Sequence, residues 1–520
     1  MKRHKNIQGS MEQKVTGRLT FIDLFSGCGG FSLGMELAGL DCRAAVDFDE
    51  SATETFRVNH PHVPHVLCRD LTKFGPRDLD RHLKGERIDI VVGGPPCQGF
   101  SKARQVDGAN HGGRLIHDSR RDLYRDFLRF VKFYQPSAFV MENVLGIRSA
   151  AGGEFFTRVQ SESRDLGYRV IAHVVEAWRF GVPQKRIRQL IIGTRRELPM
   201  FIPARYMCPT HALPGEPGAK ELQQAVTLGE AIGDLPELSA GDDEHTRKYD
   251  LTKRTLHLAK YGGRFVRDVL LVDKATELTG HVARPHSERD LRDFAKLGEG
   301  ENSKQAIARG AKMEFPYDRE NFKDRFTRQH RHELCSTIVA HLQKDGLMFI
   351  HPTQQRSLTP REAARVQTFP DTFVLAPSRS AAFKEVGNAV PPQVGKAVGA
   401  ALAQYLAEVD LRSEARAIHD DNIPRTRAAA IRLLESFVES LFLRDVSMVP
   451  RAEFLAAWWA VGFLHPHLHP DAARENGREL SRGPRRGVSF VLEPVYVRSG
   501  WPVELIPITD DRRLLLIEIL

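Results

Sequence analysis

The sequence predicts a doubly wound α/β fold that is interrupted by a long insert and followed by a C-terminal extension. Three observations carry this. Short β-branched runs alternate with amphipathic stretches through the first two hundred residues. From about Met200 to Pro352 the rhythm breaks, and Pro, Gly, His and mixed charge rise. Helical patterning then returns in "LTPREAARVQTF" and "GNAVPPQVGKAVGAALAQYLAEV" before a compositionally separate segment begins.

Taken in order, residues 1–17 are basic and polar, lack the apolar core of a secretory signal, and read as a disordered tail. The first part of the sheet domain is expected over 18–199. Its strand candidates are Leu19–Phe25, Cys42–Phe48, Ile88–Gly93, Ala138–Glu142, Tyr168–Glu176 and Gln189–Gly193. Helices are expected between them, for example Asp122 to Tyr134, "DLYRDFLRFVKFY". The insert occupies 200–352 and the closing part of the sheet domain 353–408. The extension, 409–520, has a helical part (Arg427–Leu443), an apolar patch at Trp458 and Trp459, a basic turn "GRELSRGPRRG" and an ending rich in strand formers.

At 520 residues the chain exceeds one ordinary core, so two to four domains are expected. Hydrophobic content of 41% and charged content of 27% are those of a globular protein. No run approaches the roughly 20 apolar residues of a membrane span, and a cytoplasmic location without membrane contact is expected. None of the six cysteines forms a C-x-x-C pair, which argues against a zinc ribbon and a disulfide framework. "HPHLHP", with His465, His467 and His469, has prolines that forbid helical ligand spacing and no cysteine or carboxylate cluster beside it, so no metal site is expected. A net charge of +9 suits a polyanion partner but is weak evidence alone.

The chemistry sits at strand ends. "RIDIVVGGPPCQGFS" is a buried-strand run closed by Gly-Gly-Pro-Pro, which cannot continue a ladder. Cys97 is thereby presented at the carboxyl edge of the sheet, where open α/β folds bind ligands. The alternative is a buried structural thiol. "FIDLFSGCGGFSLGMELAGL" reads as strand, glycine-rich turn and helix, with Gly27, Gly29 and Gly30 allowing close approach of a ligand. The spacing is not G-x-G-x-x-G, which disfavours a nicotinamide cofactor. Asp47 ends the next strand about 20 residues on, where an acidic side chain reaches ribose hydroxyls. Phe48 beside it can stack on an adenine face, and Asp70 ends a third strand. Each of these, taken singly, also reads as a turn residue or a core aromatic.

The glycine turn, the acidic strand end, Pro-Cys-Gln, Glu-Asn-Val, "QKRIR", "RSLTPREAARVQTFPDTF" and "GNAVPPQVGKAVG", in this order from about Leu19 to Leu406, resemble the DNA (cytosine-5)-methyltransferases of bacterial type. The resemblance implies a Rossmann-like methyltransferase sheet and the cofactor S-adenosyl-L-methionine. It implies a cofactor pocket of Phe25, Gly27, Gly29, Gly30, Asp47, Phe48, Asp70, Leu71, Pro96, Gln98, Leu123, Asn388 and Val390. The implied catalytic residues are Cys97 as nucleophile, Glu142 on ring nitrogen 3 and the exocyclic amine, Arg188 on the cytosine 2-oxygen, and Arg186 supporting the glutamate and a phosphate. Gln184, Arg186 and Arg188 share one face by period-two alternation, which favours a functional reading over a solvated basic face. Lys102 to Ser119 reads as the lid over a flipped-out base, and the insert stands where the family carries its target recognition domain.

The partner implied is double-stranded DNA, bound by a monomer, with a restriction or anti-phage defence system as its setting and partner proteins. The rival readings are RNA cytosine methylation on the same fold, a catalytically silent DNA-binding regulator, and a nicotinamide-dependent oxidoreductase.

Overall fold

The computed structural model describes residues 18–96, 122–216, 219–315 and 326–417, together with strands Pro494–Tyr496, Pro502–Thr509 and Arg512–Leu516. Cys97, Gln98, the lid segment, the basic tail, Arg427–Leu443, the Trp458–Trp459 patch and "HPHLHP" lie outside the described residues. Two compact units result, Met1–Leu406 and Ala407–Leu520. In the second, the three described strands form an antiparallel sheet with Pro502–Thr509 in the middle.

The first unit is built on a seven-stranded sheet. Its elements run β1 (Thr20–Leu24), α1 (Gly30–Leu37), β2 (Asp41–Asp47), α2 (Glu50–Asn59), β3 (His65–Cys68), α3 (Pro76–Leu83) and β4 (Ile90–Gly93). Then come α4 (Leu123–Tyr134), β5 (Ala138–Val144), α5 (Glu154–Asp165), β6 (Tyr168–Glu176) and β7 (Ile187–Arg195). Central strands covered on both faces must be apolar throughout. Accordingly, every residue of β4 is buried, as are the first six of β5. The order β3-β2-β1-β4-β5-β7-β6 reverses between β1 and β4, the point at which such sheets open a ligand crevice. β7 runs antiparallel to both β5 and β6. No crossover helix separates β6 from β7, only a 3₁₀ turn at Ala177–Phe180, and a direct return of that kind gives antiparallel pairing.

The late helices are α6 (Pro203–Tyr206), α7 (Leu228–Ile232), α8 (Leu251–Tyr261), α9 (Glu288–Ala295), α10 (Ser303–Ala308), α11 (Pro360–Val366), α12 (Arg379–Asn388) and α13 (Pro392–Ala417). α13 lies backbone-close against α1. A Cβ on Gly34 would stand 2.6 Å from the Gly395 Cα and 2.3 Å from the Pro392 carbonyl, so only glycine fits. The late segment thus packs a helix on the first helix of the sheet layer, while all seven strands lie before Arg196.

The insert shares its main core with this closing segment. Leu228, Phe265, Leu270 and Ile338 pack in one cluster with Leu358, Phe369 and Phe383. A smaller core gathers Phe294, Phe326 and Ile350. Every residue from Arg356 to Asp371 is buried, three arginines included. Buried charges need partners, and each has them. Arg356 pairs with Glu362, Arg361 donates to the Thr279, Pro370 and Phe373 carbonyls, and Arg365 bridges Asp234 and Asp371.

Candidate active site

The β1–α1 turn bends through left-handed backbone at Phe25 (φ 59°), Gly27 (φ 54°) and Gly29 (φ 95°). At a phenylalanine that conformation is rare and costs energy. The turn is braced from the next strand. The Gly27 N–H donates to Asp47 Oδ2 at 2.8 Å, and the Asp49 N–H donates to Asp47 Oδ1 at 2.9 Å. Asp47 thus fastens the glycine turn, and its remaining lone pairs are what a ribose would meet. Burial pushes its carboxyl above the usual range. Beneath the turn, fully buried Asp23 accepts from Ser32 Oγ at 2.7 Å, and burial pushes its pKa up to about 7.

The other expected cofactor residues, apart from Gln98, lie among the described residues. Phe48 is 65% exposed at the end of β2, an unusual state for phenylalanine and a face free for stacking. Asp70 accepts from the Thr72 N–H and hydroxyl through Oδ1, which leaves Oδ2 for a donor. Leu71 is buried, Leu123 half-buried and Asn388 exposed. The Val390 carbonyl would lie 2.4 Å from a Cβ on Gly30, so the late segment closes directly over the turn. No side chain caps the start of α1, which leaves a helix N-terminus suited to an anionic group. A carboxylate-bearing nucleoside fits this set: helix start for the anion, Asp47 for the ribose, Phe48 and Asp70 for the base.

The second half of the site lies at the ends of β4 and β5. Gly93 pairs with Met141, which sets Glu142 and Asn143 beside the Gly-Pro-Pro run. Asn143 Nδ2 donates to the Pro95 carbonyl at 3.2 Å, and its Oδ1 accepts from the Val144 N–H. A Cβ on Gly94 would be 3.5 Å from Glu142 Oε2. The backbone that leads into Cys97 is therefore pinned by Asn143 and faced by Glu142. Arg188 Nε lies 2.9 Å from Glu142 Oε1. Register explains the pair: Val144 is opposite Arg188, so Glu142 is its diagonal neighbour on the same face.

Arg186 is placed otherwise than the resemblance implies. It is 1% exposed and donates to the Ile338 carbonyl at 2.8 Å and the Ala389 carbonyl at 2.9 Å. That burial leaves no surface for a phosphate, while the expected support of the glutamate keeps a basis in the Glu142 charge that acts on Arg186. Burial pushes its pKa down. The one-face reading of Gln184, Arg186 and Arg188 also fails, because β7 begins at Ile187 and the alternation stops there. Gln184 instead donates to the Val366 carbonyl at 2.9 Å and accepts from the Ile338 N–H at 3.1 Å. The two side chains grip both sides of residue 338 and tie β7 to the exit of the insert. Gln367 completes the tie through the Val386 and Ala389 carbonyls. Sequence reasoning missed this polar hub, whose only signal was amides and arginines within apolar blocks.

Two arginines of the insert, Arg328 buried and Arg284 half-buried, are committed to backbone carbonyls of the insert and its edge. Arg328 is 4% exposed and donates to the carbonyls of Phe294, Leu297 and His351. Arg284 donates to those of Leu342, Gln343 and Lys344.

Comparison with known proteins agrees with this geometry. The model of the C-5 cytosine-specific DNA methylase family matches residues 19–404. The type II methyltransferase M.DdeI of Desulfomicrobium norvegicum is 31% identical over 442 residues, 82% of this chain and 96% of that protein. The type II methyltransferase M.XorII of Xanthomonas oryzae pv. oryzae is 33% identical over 437 residues, 79% and 91% of the two chains. The crystal structure of a protein described as a DNA modification methyltransferase of an E. coli prophage superposes with a TM-score of 0.57. It is 27% identical and covers 75% of this chain and 99% of its own.

Proposed function

The chain belongs to the C-5 cytosine-specific DNA methylase family and is an S-adenosylmethionine-dependent DNA (cytosine-5)-methyltransferase, and from that premise we propose how its own residues carry the reaction. The observation that bears most weight is the Glu142–Arg188 pair facing the pinned Gly94-Pro95 backbone. The cofactor, when bound, supplies an electrophilic sulfonium methyl group. Carbon 5 of cytosine is too poor a nucleophile to take it unaided. The Cys97 thiolate forms a bond to carbon 6, the 5,6 double bond opens, and carbon 5 becomes an enamine carbon able to accept the methyl. Glu142 holds ring nitrogen 3 and the exocyclic amine, drawing charge out of the ring as sulfur adds. Arg188 holds the 2-oxygen and keeps Glu142 oriented. A base, water included, then takes the carbon-5 proton, the freed electron pair re-forms the 5,6 double bond, and the bond from carbon 6 to the Cys97 sulfur breaks to return the thiolate and release 5-methylcytosine.

Arg186 and Gln184 serve as positioning residues in this scheme. The turn residues Phe25, Gly27, Gly29 and Gly30, with Asp47, Phe48, Asp70, Leu71, Pro96, Gln98, Leu123, Asn388 and Val390, hold the cofactor. The insert reads the DNA, and Lys102 to Ser119 closes over the flipped base. The biological task is self-marking in restriction–modification, a reading supported by the likeness to type II methyltransferases.

Trapping tests the covalent step. Duplex DNA with 5-fluorocytosine at the target position cannot lose its carbon-5 substituent, so the wild type is expected to give a denaturant-resistant complex and Cys97→Ala none. A complex that survives in Cys97→Ala would exclude Cys97 as nucleophile.

A further inference from the structure

We propose that Glu36, His60 and His62 form a binding site for one divalent transition ion of the zinc type, lodged behind the cofactor turn. The residues come from neighbouring elements. Glu36 lies in the last turn of α1, His60 caps the end of α2, and His62 follows across Pro61. His60 Nδ1 is 2.8 Å from Glu36 Oε2, and His62 Nε2 is 2.7 Å from Glu36 Oε1. One ligand atom from each lies within 4.8 Å of the others. Two imidazoles and one carboxylate are a zinc donor set, and the ligand atoms of a tetrahedral ion stand about 3.3 Å apart. An ion would take the place of the two hydrogen bonds to Glu36, with the three ligand atoms, now within 4.8 Å of one another, drawn to that spacing.

Burial grades the site as a metal centre requires. The His60 side chain is 0% exposed, Glu36 15% and His62 57%, so the fourth position opens to water. His60 cannot swing away: its ring stacks on Phe56 at 4.3 Å between centroids. Gly29 abuts both rings: a Cβ there would meet His60 Nε2 at 2.6 Å and Phe56 Cδ2 at 2.8 Å. That nitrogen is buried without a partner, so the ring can turn its chemistry only toward Glu36. Proline between the two histidines restricts the backbone that joins them. A bound ion would tie the end of α2 to α1 and hold His60 against Gly29. It would brace the cofactor turn without touching the reacting atoms, as a structural rather than a catalytic centre.

The test uses the full-length protein, stripped with chelator and then titrated with Zn²⁺ and, as a spectroscopic probe, Co²⁺. His62→Ala changes an exposed side chain, and Glu36→Gln keeps shape while removing charge. The wild type is expected to retain one zinc per chain, to give the visible bands of low-coordinate cobalt, and to melt at higher temperature with zinc. Both variants are expected to bind about a hundredfold more weakly and to show no zinc-dependent melting shift. Failure of the wild type to retain zinc would overturn the proposal. So would undiminished binding in both variants, which would move the ion to other groups such as the thiols.

Discussion

At the scale of single residues, the site works by restraint. Glu142 and Arg188 are held by strand register, Asn143 fixes the Pro95 carbonyl, and Asp47 fastens the glycine turn. Glu142→Gln keeps the shape of this side chain and removes its acid. It is expected to lower kcat by about a hundredfold or more with little change in melting temperature, checked by initial rates beside thermal unfolding. Arg186→Ala should do the opposite. It leaves the Ile338 carbonyl without its side-chain donor, at about 1–3 kcal/mol, while the Ala389 carbonyl keeps Gln367, so stability falls first and measured activity follows the folded fraction. Asp23 gives a pH-dependent signature. Its folded pKa of about 7 lies above the unfolded value, so its contribution to stability falls as pH rises from about 4 to 7. Asp23→Asn is therefore expected to gain on the wild type across that window, by roughly 1.4 kcal/mol per pH unit, measured as the difference in unfolding midpoint at pH 5 and pH 8. The glycine turn at the end of β1 and the strand ends that carry Asp47 and Glu142 were legible in the sequence because turn residues and apolar runs mark them. The partners of Arg186 were not, because a guanidinium facing two distant carbonyls leaves no local pattern. The Glu36–His60–His62 cluster was missed for a related reason: the histidines show as H-x-H, but the carboxylate lies 24 residues earlier.

At the scale of elements, apolar periodicity gave six of the sheet strands, but not where alternation ends. The first strand stops at Leu24, because Phe25 turns into left-handed backbone. The last starts at Ile187, which breaks the one-face reading of Gln184, Arg186 and Arg188. The antiparallel sense of β7 was equally hidden, since pairing direction depends on connection and not on composition. The seam between the insert and α11 carries three histidines, His281 and His351 buried and His286 half-buried, that meet hydrogen-bond donors through a ring nitrogen. His286 accepts from the Ser357 N–H, His351 from the Thr353 and Gln354 N–H groups, and His281 faces the Thr359 hydroxyl. Burial lowers His281 and His286 to about 4 and His351 to about 3. These rings stay neutral in the fold, so stability is lost as pH falls from about 6.5 toward 4. Melting temperature should drop over that range. His281→Asn should flatten the slope, and an unchanged slope would show that the seam does not set the acid limit.

At the scale of the whole molecule, the basic charge of the chain is a poor guide to its DNA-facing surface. Arg186, Arg328, Arg356, Arg361 and Arg365 are all buried and serve the interior. Among the described residues, no helix is long and apolar enough to cross a membrane. The insert shares its core with the segment that follows it, so the two belong to one packed body, Met1–Leu406. The most direct test of the central claim, that Cys97 makes this chain a DNA cytosine-5 methyltransferase acting at a short site, is bisulfite sequencing of plasmid DNA from cells expressing the wild type or Cys97→Ala. Methylated cytosines confined to one short motif with the wild type, and absent with the variant, are the expected result. Equal methylation in the two samples, or none with well-expressed wild type, would contradict it.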